Sequence, residues 1–276
     1  MDMTIFNSVE NIINKYSYED AIRLLVRMLL APDLERIFDK PKKILCIQPH
    51  PDDCDFSAGG TLIKSIRNGA EVTYLTLTDG SMGTVNPKLS PEELSVIRKK
   101  EQENAAKIIG IKKLIWLNYK DTELPYSSDI RKLLVNIIRR EKPNIVLAPD
   151  PWLPYEGHPD HRITGILSVE AALFSSLVHY AISSYEENIE PHSIEYMVLY
   201  NTSKPNLYTN IDDVIEIKLK VLKQHESQFL NNWDNVELFI RTLNMLYGKI
   251  INAKYAEAFK VIPKDLLHVT TIVEHI

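Results

Sequence analysis

Apolar side chains recur along this chain in two rhythms, and the switches between them mark out its elements. In residues 1–38 the rhythm is helical. Tyr18, Ala21, Ile22, Leu24, Leu25, Met28 and Leu29 form a stripe that ends at Pro32, the spacing of an amphipathic helix. Two helices are expected here, packed on the body of the protein, with a subunit contact as the alternative use of the stripe. From residue 43 strands and helices alternate. Residues 43–47, 71–78, 113–117, 144–148 and 193–200 are short runs rich in β-branched and aliphatic residues, which strands favour. Helical patterns fall between them at 58–68, 90–109, 129–141 and 161–177. Gly69 and Gly110 stop the first two, and Ser90-Pro91-Glu92-Glu93 opens the second as a capping box. Helical patterns at 212–229 and 236–254 and a short strand at 259–262 complete the chain.

Regular alternation of strand and helix implies right-handed crossovers and a parallel sheet. The expected fold class is therefore α/β, a Rossmann-like and mostly parallel sheet with helices on both faces, plus an N-terminal helical extension. Residues 1–40 are expected to be that extension and residues 41–276 a single α/β domain, a size one domain can reach. No Gly-x-Gly-x-x-Gly follows the first strand, so dinucleotide binding is disfavoured.

Composition narrows the partners. The 276 residues carry a formal net charge of −5 and a pI of about 5.9, so no nucleic-acid partner is expected. No apolar run is long enough to span a bilayer, and the N-terminus lacks the basic start and apolar core of a signal peptide. No membrane partner is expected. The two cysteines, Cys46 and Cys54, are too few for a disulfide scaffold. Free thiols in a reducing, cytoplasmic compartment are expected, with a bridge between strand and loop as the alternative.

Chemistry gathers in two short stretches. Gln48-Pro49-His50-Pro51-Asp52-Asp53-Cys54-Asp55 follows the first strand, and His158-Pro159-Asp160-His161 follows the fourth. Both lie at the C-terminal edge of the expected sheet, where open α/β folds bind ligands. Imidazole and carboxylate are zinc ligands, and a catalytic zinc needs three protein ligands with a position left open. His50 and Asp53 can converge on one ion if their loop coils into a turn, and the second stretch can supply a third donor. Adjacent carboxylates point different ways, so one of Asp52 and Asp53 can bind while its neighbour faces the open position.

His50-Pro51-Asp52-Asp53 with Gly59-Gly60, Thr78-Asp79-Gly80, Arg98-x-x-Glu101 with Ala105-Ala106, and His158-Pro159-Asp160-His161 resemble the PIG-L/LmbE family of metal-dependent deacetylases. The likeness runs over roughly residues 43–262, including Asp121 and the His225-x-Ser227-Gln228 stretch. The loop 149–161 is most similar to the archaeal diacetylchitobiose deacetylase branch. The resemblance implies a zinc-dependent hydrolase that removes the N-acetyl group from N-acetylglucosamine or short chitooligosaccharides. Deacylation of another N-acetylglucosamine conjugate or N-acyl amide, or sugar or metal binding without catalysis, remains open. It implies metal ligands at His50, Asp53 and His161, a general base at Asp52, and an oxyanion stabiliser or proton donor at His158. It implies sugar contacts from Arg98 and Asp121, and an orienting role for Asp160. Trp152 and Tyr155 are expected either to wall a sugar site or simply to pack their loop. Zinc is expected, although this donor set also admits iron, cobalt or manganese. The partner is then a small amino-sugar, and a homo-oligomer is expected.

Overall fold

The computed structural model describes residues 3–40, 42–180 and 189–276, with residues 3–6 in backbone only. Helices α1 (Met3–Lys15) and α2 (Tyr18–Leu29) come first; residues 1 and 2 of the expected helical segment lie outside the described residues. Ser17 caps α2 by accepting from the Asp20 N–H, which satisfies an otherwise orphaned donor. Ile22 and Val26 of α2, with Leu34, Ile37 and Phe38 after it, join the same apolar core as the sheet. Tyr196 ties the segment down by donating to Asp33 at 2.8 Å.

The body runs β1 (Lys43–Gln48), α3 (Asp53–Arg67), β2 (Glu71–Thr78), α4 (Pro91–Ile109), β3 (Lys113–Tyr119), α5 (Ser128–Glu141), β4 (Ile145–Pro149), α6 (Pro159–Phe174) and β5 (Tyr196–Tyr200). Then follow β6 (Leu207–Asn210), α7 (Ile215–Leu222), α8 (Glu226–Phe229), α9 (Trp233–Ile250) and β7 (Ala256–Pro263). Among the described residues the seven strands are ordered β3-β2-β1-β4-β5-β7-β6. β1 to β5 pair in parallel, and β7 runs antiparallel to both β5 and β6. β1, β2 and β4 are buried almost throughout, as central parallel strands covered on both faces must be. Helices α5 and α6 pack together, and α3 packs with α4 and α7. This is the α/β architecture with an N-terminal helical lead that the alternation predicts. Among the described residues no helix is long and apolar enough to cross a membrane.

Four details depart from the sequence reading. Helix α3 starts at Asp53 rather than residue 58, so Asp53, Cys54 and Asp55 are helical. The pattern at 212–229 is broken at His225, between α7 and α8. Four-residue β6, paired on the edge of β7, was not expected, because so short a run shows no periodicity. Cys46 and Cys54 form a disulfide with Cα atoms 6.5 Å apart, within the normal span of such bonds. Free thiols were expected, but the early start of α3 carries Cys54 back over Cys46 of β1. The thiol argument for a reducing compartment therefore no longer holds.

Candidate active site

Strand β1 is flanked by β2 and β4, and the chain leaves β1 and β4 in opposite directions across the sheet. That reversal opens a crevice at the strands' C-terminal ends. The loop after β1 carries His50 and Asp52, and the loop after β4 carries His158. Thr78 fastens the first loop, donating to Pro49 O through its N–H at 2.9 Å and its hydroxyl at 2.8 Å. Gly165 lets α6 rest directly on the second, since a Cβ there would lie 2.5 Å from Pro149 O.

His50, Asp53 and His161 meet in this crevice. Their donor atoms all lie within 4.8 Å of one another. His50 Nδ1 is 3.3 Å from Asp53 Oδ2, and His161 Nε2 is 3.5 Å from Asp53 Oδ1. The opposite ring nitrogen of His50, Nε2, faces Asp121 Oδ1 at 3.0 Å and Asp160 Oδ2 at 3.4 Å. Those carboxylates are themselves held. Asp121 accepts from the Met82 N–H at 3.0 Å, and Asp160 from Thr122 at 2.7 Å and Leu124 at 3.3 Å.

The cluster is anionic and short of positive charge. Burial alone would push the His50 pKa down, but Asp121, Asp160 and Asp53 outweigh it and raise the pKa well above its ordinary value. Burial likewise opposes ionisation of Asp53, yet His161 and His50 hold its carboxyl far below the usual range. Asp121 falls to about 2 despite burial, chiefly through His50. Two imidazoles and a carboxylate, with one imidazole backed by further carboxylates, match a divalent-cation site in which the second nitrogen of a ligating histidine donates to an acid. These residues can hold a metal.

Asp52 sits beside the cluster with φ of 104°, a region that non-glycine residues rarely occupy. Its carboxylate takes a 3.1 Å hydrogen bond from the Arg98 guanidinium. Burial raises its pKa to about 6, with Arg98 opposing. The same guanidinium donates to Pro51 O at 2.8 Å and to Gly80 O at 2.9 Å and is buried. Arg98 thus ties the Asp52 loop to the loop after β2. Its neighbour Glu101 accepts instead from the N–H and hydroxyl of Ser227.

His158 is half-exposed at the mouth. Its Nδ1 lies 3.3 Å from the Asp160 N–H that it accepts from, so its proton sits on Nε2. Burial and the nearby His50 and His161 charges lower its pKa, and the ring is neutral near pH 7. Trp152 and Tyr155, on the loop after β4, are exposed.

A polar layer lies beneath the site; the sequence suggested a structural hydrogen-bonding role for His225 but not the layer as a whole. Gln48, Asp55, Tyr74, Gln102 and His225 are all fully buried. Asp55 accepts from Tyr74 OH at 2.8 Å and Gln102 Nε2 at 2.8 Å, and lies 2.7 Å from His225 Nε2. Two signals pointed to it. Gln48 ends an otherwise apolar strand, and Gln102 stands four residues after Arg98, on the same face of α4.

The family model for GlcNAc-PI de-N-acetylase, PIG-L, matches residues 45–172. Diacetylchitobiose deacetylase of Thermococcus kodakarensis is 47% identical over 233 residues, covering 84% of this chain and 87% of that protein. The chain belongs to the PIG-L family. The segment matched to the PIG-L model runs from β1 into α6 and so contains both loops of the crevice. The N,N'-diacetylchitobiose deacetylase structure from Pyrococcus horikoshii superposes with a TM-score of 0.88 at 46% identity, over 95% of this chain and 98% of that one. More distant PIG-L relatives include a mycothiol S-conjugate amidase of Streptomyces coelicolor, 25% identical over 83% of this chain and 82% of that protein. This PIG-L member is an N-deacetylase, a hydrolase of amide bonds.

Proposed function

We propose that this chain removes the N-acetyl group from N-acetylglucosamine units of short chitooligosaccharides such as diacetylchitobiose, using a zinc ion held by His50, Asp53 and His161. The observation that carries the reading is a buried carboxylate, Asp52, beside a cluster of three convergent donors. The similarity to diacetylchitobiose deacetylases over nearly the whole chain supports the substrate class. A bound divalent cation acidifies a coordinated water and polarises a carbonyl.

Each residue then has a task. Asp52, with a pKa of about 6, is ionised at neutral pH and accepts the proton of the attacking water; a base poised near the working pH is the most effective. Arg98 holds that carboxylate in place. His158, neutral with its proton on Nε2, donates to the developing oxyanion. Asp52 then returns its proton to the departing amine, which cannot leave as an anion. Asp121 and Asp160 orient His50. Arg98 and Asp121 therefore act on the sugar through the residues they order. In this reading the exposed rings of Trp152 and Tyr155 offer a surface to a pyranose face. The same reading includes self-association, for which α9 offers the exposed side chains Leu238, Phe239, Leu246 and Ile250.

The test is acetate release from N-acetylglucosamine and diacetylchitobiose by protein stripped with chelator and then given zinc. Metal-restored release, preferring the disaccharide, is expected. No metal-dependent release from either substrate overturns the reading.

A further inference from the structure

Asp52 occupies the N-cap position of α3 but makes no side-chain capping hydrogen bond. An aspartate at this position ordinarily adopts an extended backbone and turns its carboxylate onto the N–H two or three residues ahead. Here both halves of that arrangement are replaced. The N–H of Cys54, two residues into the helix, is taken by Gln48 Oε1 at 2.9 Å. The N–H of Asp52 itself is taken by Gln102 Oε1 at 2.9 Å. The two amides are locked to each other, Gln48 Nε2 donating to Gln102 Oε1 at 2.9 Å and to Thr76 Oγ1 at 2.8 Å. The far end of Gln102 donates to Asp55. Both glutamines are fully buried, so neither has water as an alternative partner.

We propose that Gln48 and Gln102 are positioning residues of the deacetylation. They cap α3 in place of Asp52 and hold it in the left-handed conformation that leaves its carboxylate free to act as base. The inference rests on the function proposed above. Without the surrogate acceptors, the exposed N–H groups and the backbone strain both draw Asp52 back to an ordinary capping conformation. Its carboxylate then faces the helix rather than the attacking water.

The test uses Gln48→Met and Gln102→Met, which keep side-chain length and remove the amide. On diacetylchitobiose, kcat is expected to fall about ten- to hundred-fold, the population shift that the loss of a cap and relief of strain imply. KM and the bound metal per chain stay unchanged, because the donors of the cluster are intact. Gln48→Glu, whose buried protonated carboxyl still accepts from Cys54 and donates to Gln102, recovers most of the rate. In an Asp52→Asn background neither Met substitution lowers the residual rate further. An equal loss in both backgrounds, or loss of metal together with rate, overturns the inference and leaves a merely structural role. If one Met variant does not fold, the other and Gln48→Glu carry the comparison. If the wild-type protein releases no acetate, the functional reading fails by itself. The crystal structure of Gln48→Met then decides the inference: Asp52 is expected at negative φ with its carboxylate on the helix N-terminus, and retention of the left-handed conformation overturns it.

Discussion

Replacing His225 by Phe removes one partner of an ion pair that no solvent reaches. His225 and Asp55 are both fully buried, and their facing atoms are 2.7 Å apart. Breaking such a pair strands a buried charge, which costs about 3–5 kcal/mol. Asp55 keeps its hydrogen bonds from Tyr74 and Gln102, so the lower figure applies. For a chain of 276 residues the unfolding entropy is about 0.6 kcal/mol/K, and about 3 kcal/mol corresponds to a fall in Tm of about 5 °C. The effect has a defined pH dependence. Burial disfavours the imidazolium, but Asp55, Asp52 and Glu101 outweigh it and raise the pKa of His225 above 6.5. A raised pKa contributes stability that is complete below the unfolded value and disappears as pH rises through the folded one. Thermal unfolding of wild type and His225→Phe from pH 6 to pH 9 should therefore show the largest gap at the acid end. Adding Asp55→Asn to His225→Phe should recover part of the loss, since it removes the stranded charge. A shift under about 1 °C at pH 6, where about 5 °C is expected, or a gap that widens with pH, refutes the argument.

Asp52→Asn should lower kcat by about a hundred- to ten-thousand-fold, the usual weight of a general base, with metal content by elemental analysis unchanged. His158→Gln, which shortens the neutral donor, should lower kcat by about a hundred-fold or more with little change in KM. Gly165→Ala places a methyl group 2.5 Å from Pro149 O and 2.9 Å from the Pro151 ring. Overpacking of this kind costs about 1–3 kcal/mol, and because α6 must move with His161, metal affinity by competitive titration should fall alongside Tm. Gly157→Ala, with nothing within 4 Å, is the matched control and should leave both unchanged.

The alternation of strands and helices was legible because each central strand is covered on both faces and so reads as an unbroken apolar run. The capping box at Ser90 was legible because both of its hydrogen bonds are local, Ser90 with Glu93 in each direction. What escaped is non-local. The edge strand β6 exists only through its pairing with β7. The break before α8 exists because His225 turns inward to Asp55, 170 residues away in sequence. The Cys46–Cys54 bridge depended on where α3 begins, and that depends on acceptors supplied by β1 and α4.

The site divides along the same line. His50, Asp53, His158 and His161 were legible as candidates because their two stretches fall at the same edge of the sheet; either stretch alone reads as an ordinary loop. Their division of labour came from the family resemblance and not from the residues themselves. Asp52 and Asp53 are adjacent and chemically identical, and only the fold separates them. Asp53 turns back onto His50 and His161, while Asp52, at φ of 104°, turns toward Arg98. An N-terminal aspartate that declines to cap its helix breaks a local rule, and such breaks are expected where function requires them. The groups that compensate, Gln48 and Gln102, carry no charge and resemble ordinary interior amides in the sequence. Their importance is visible only through the hydrogen bonds that Asp52 does not make.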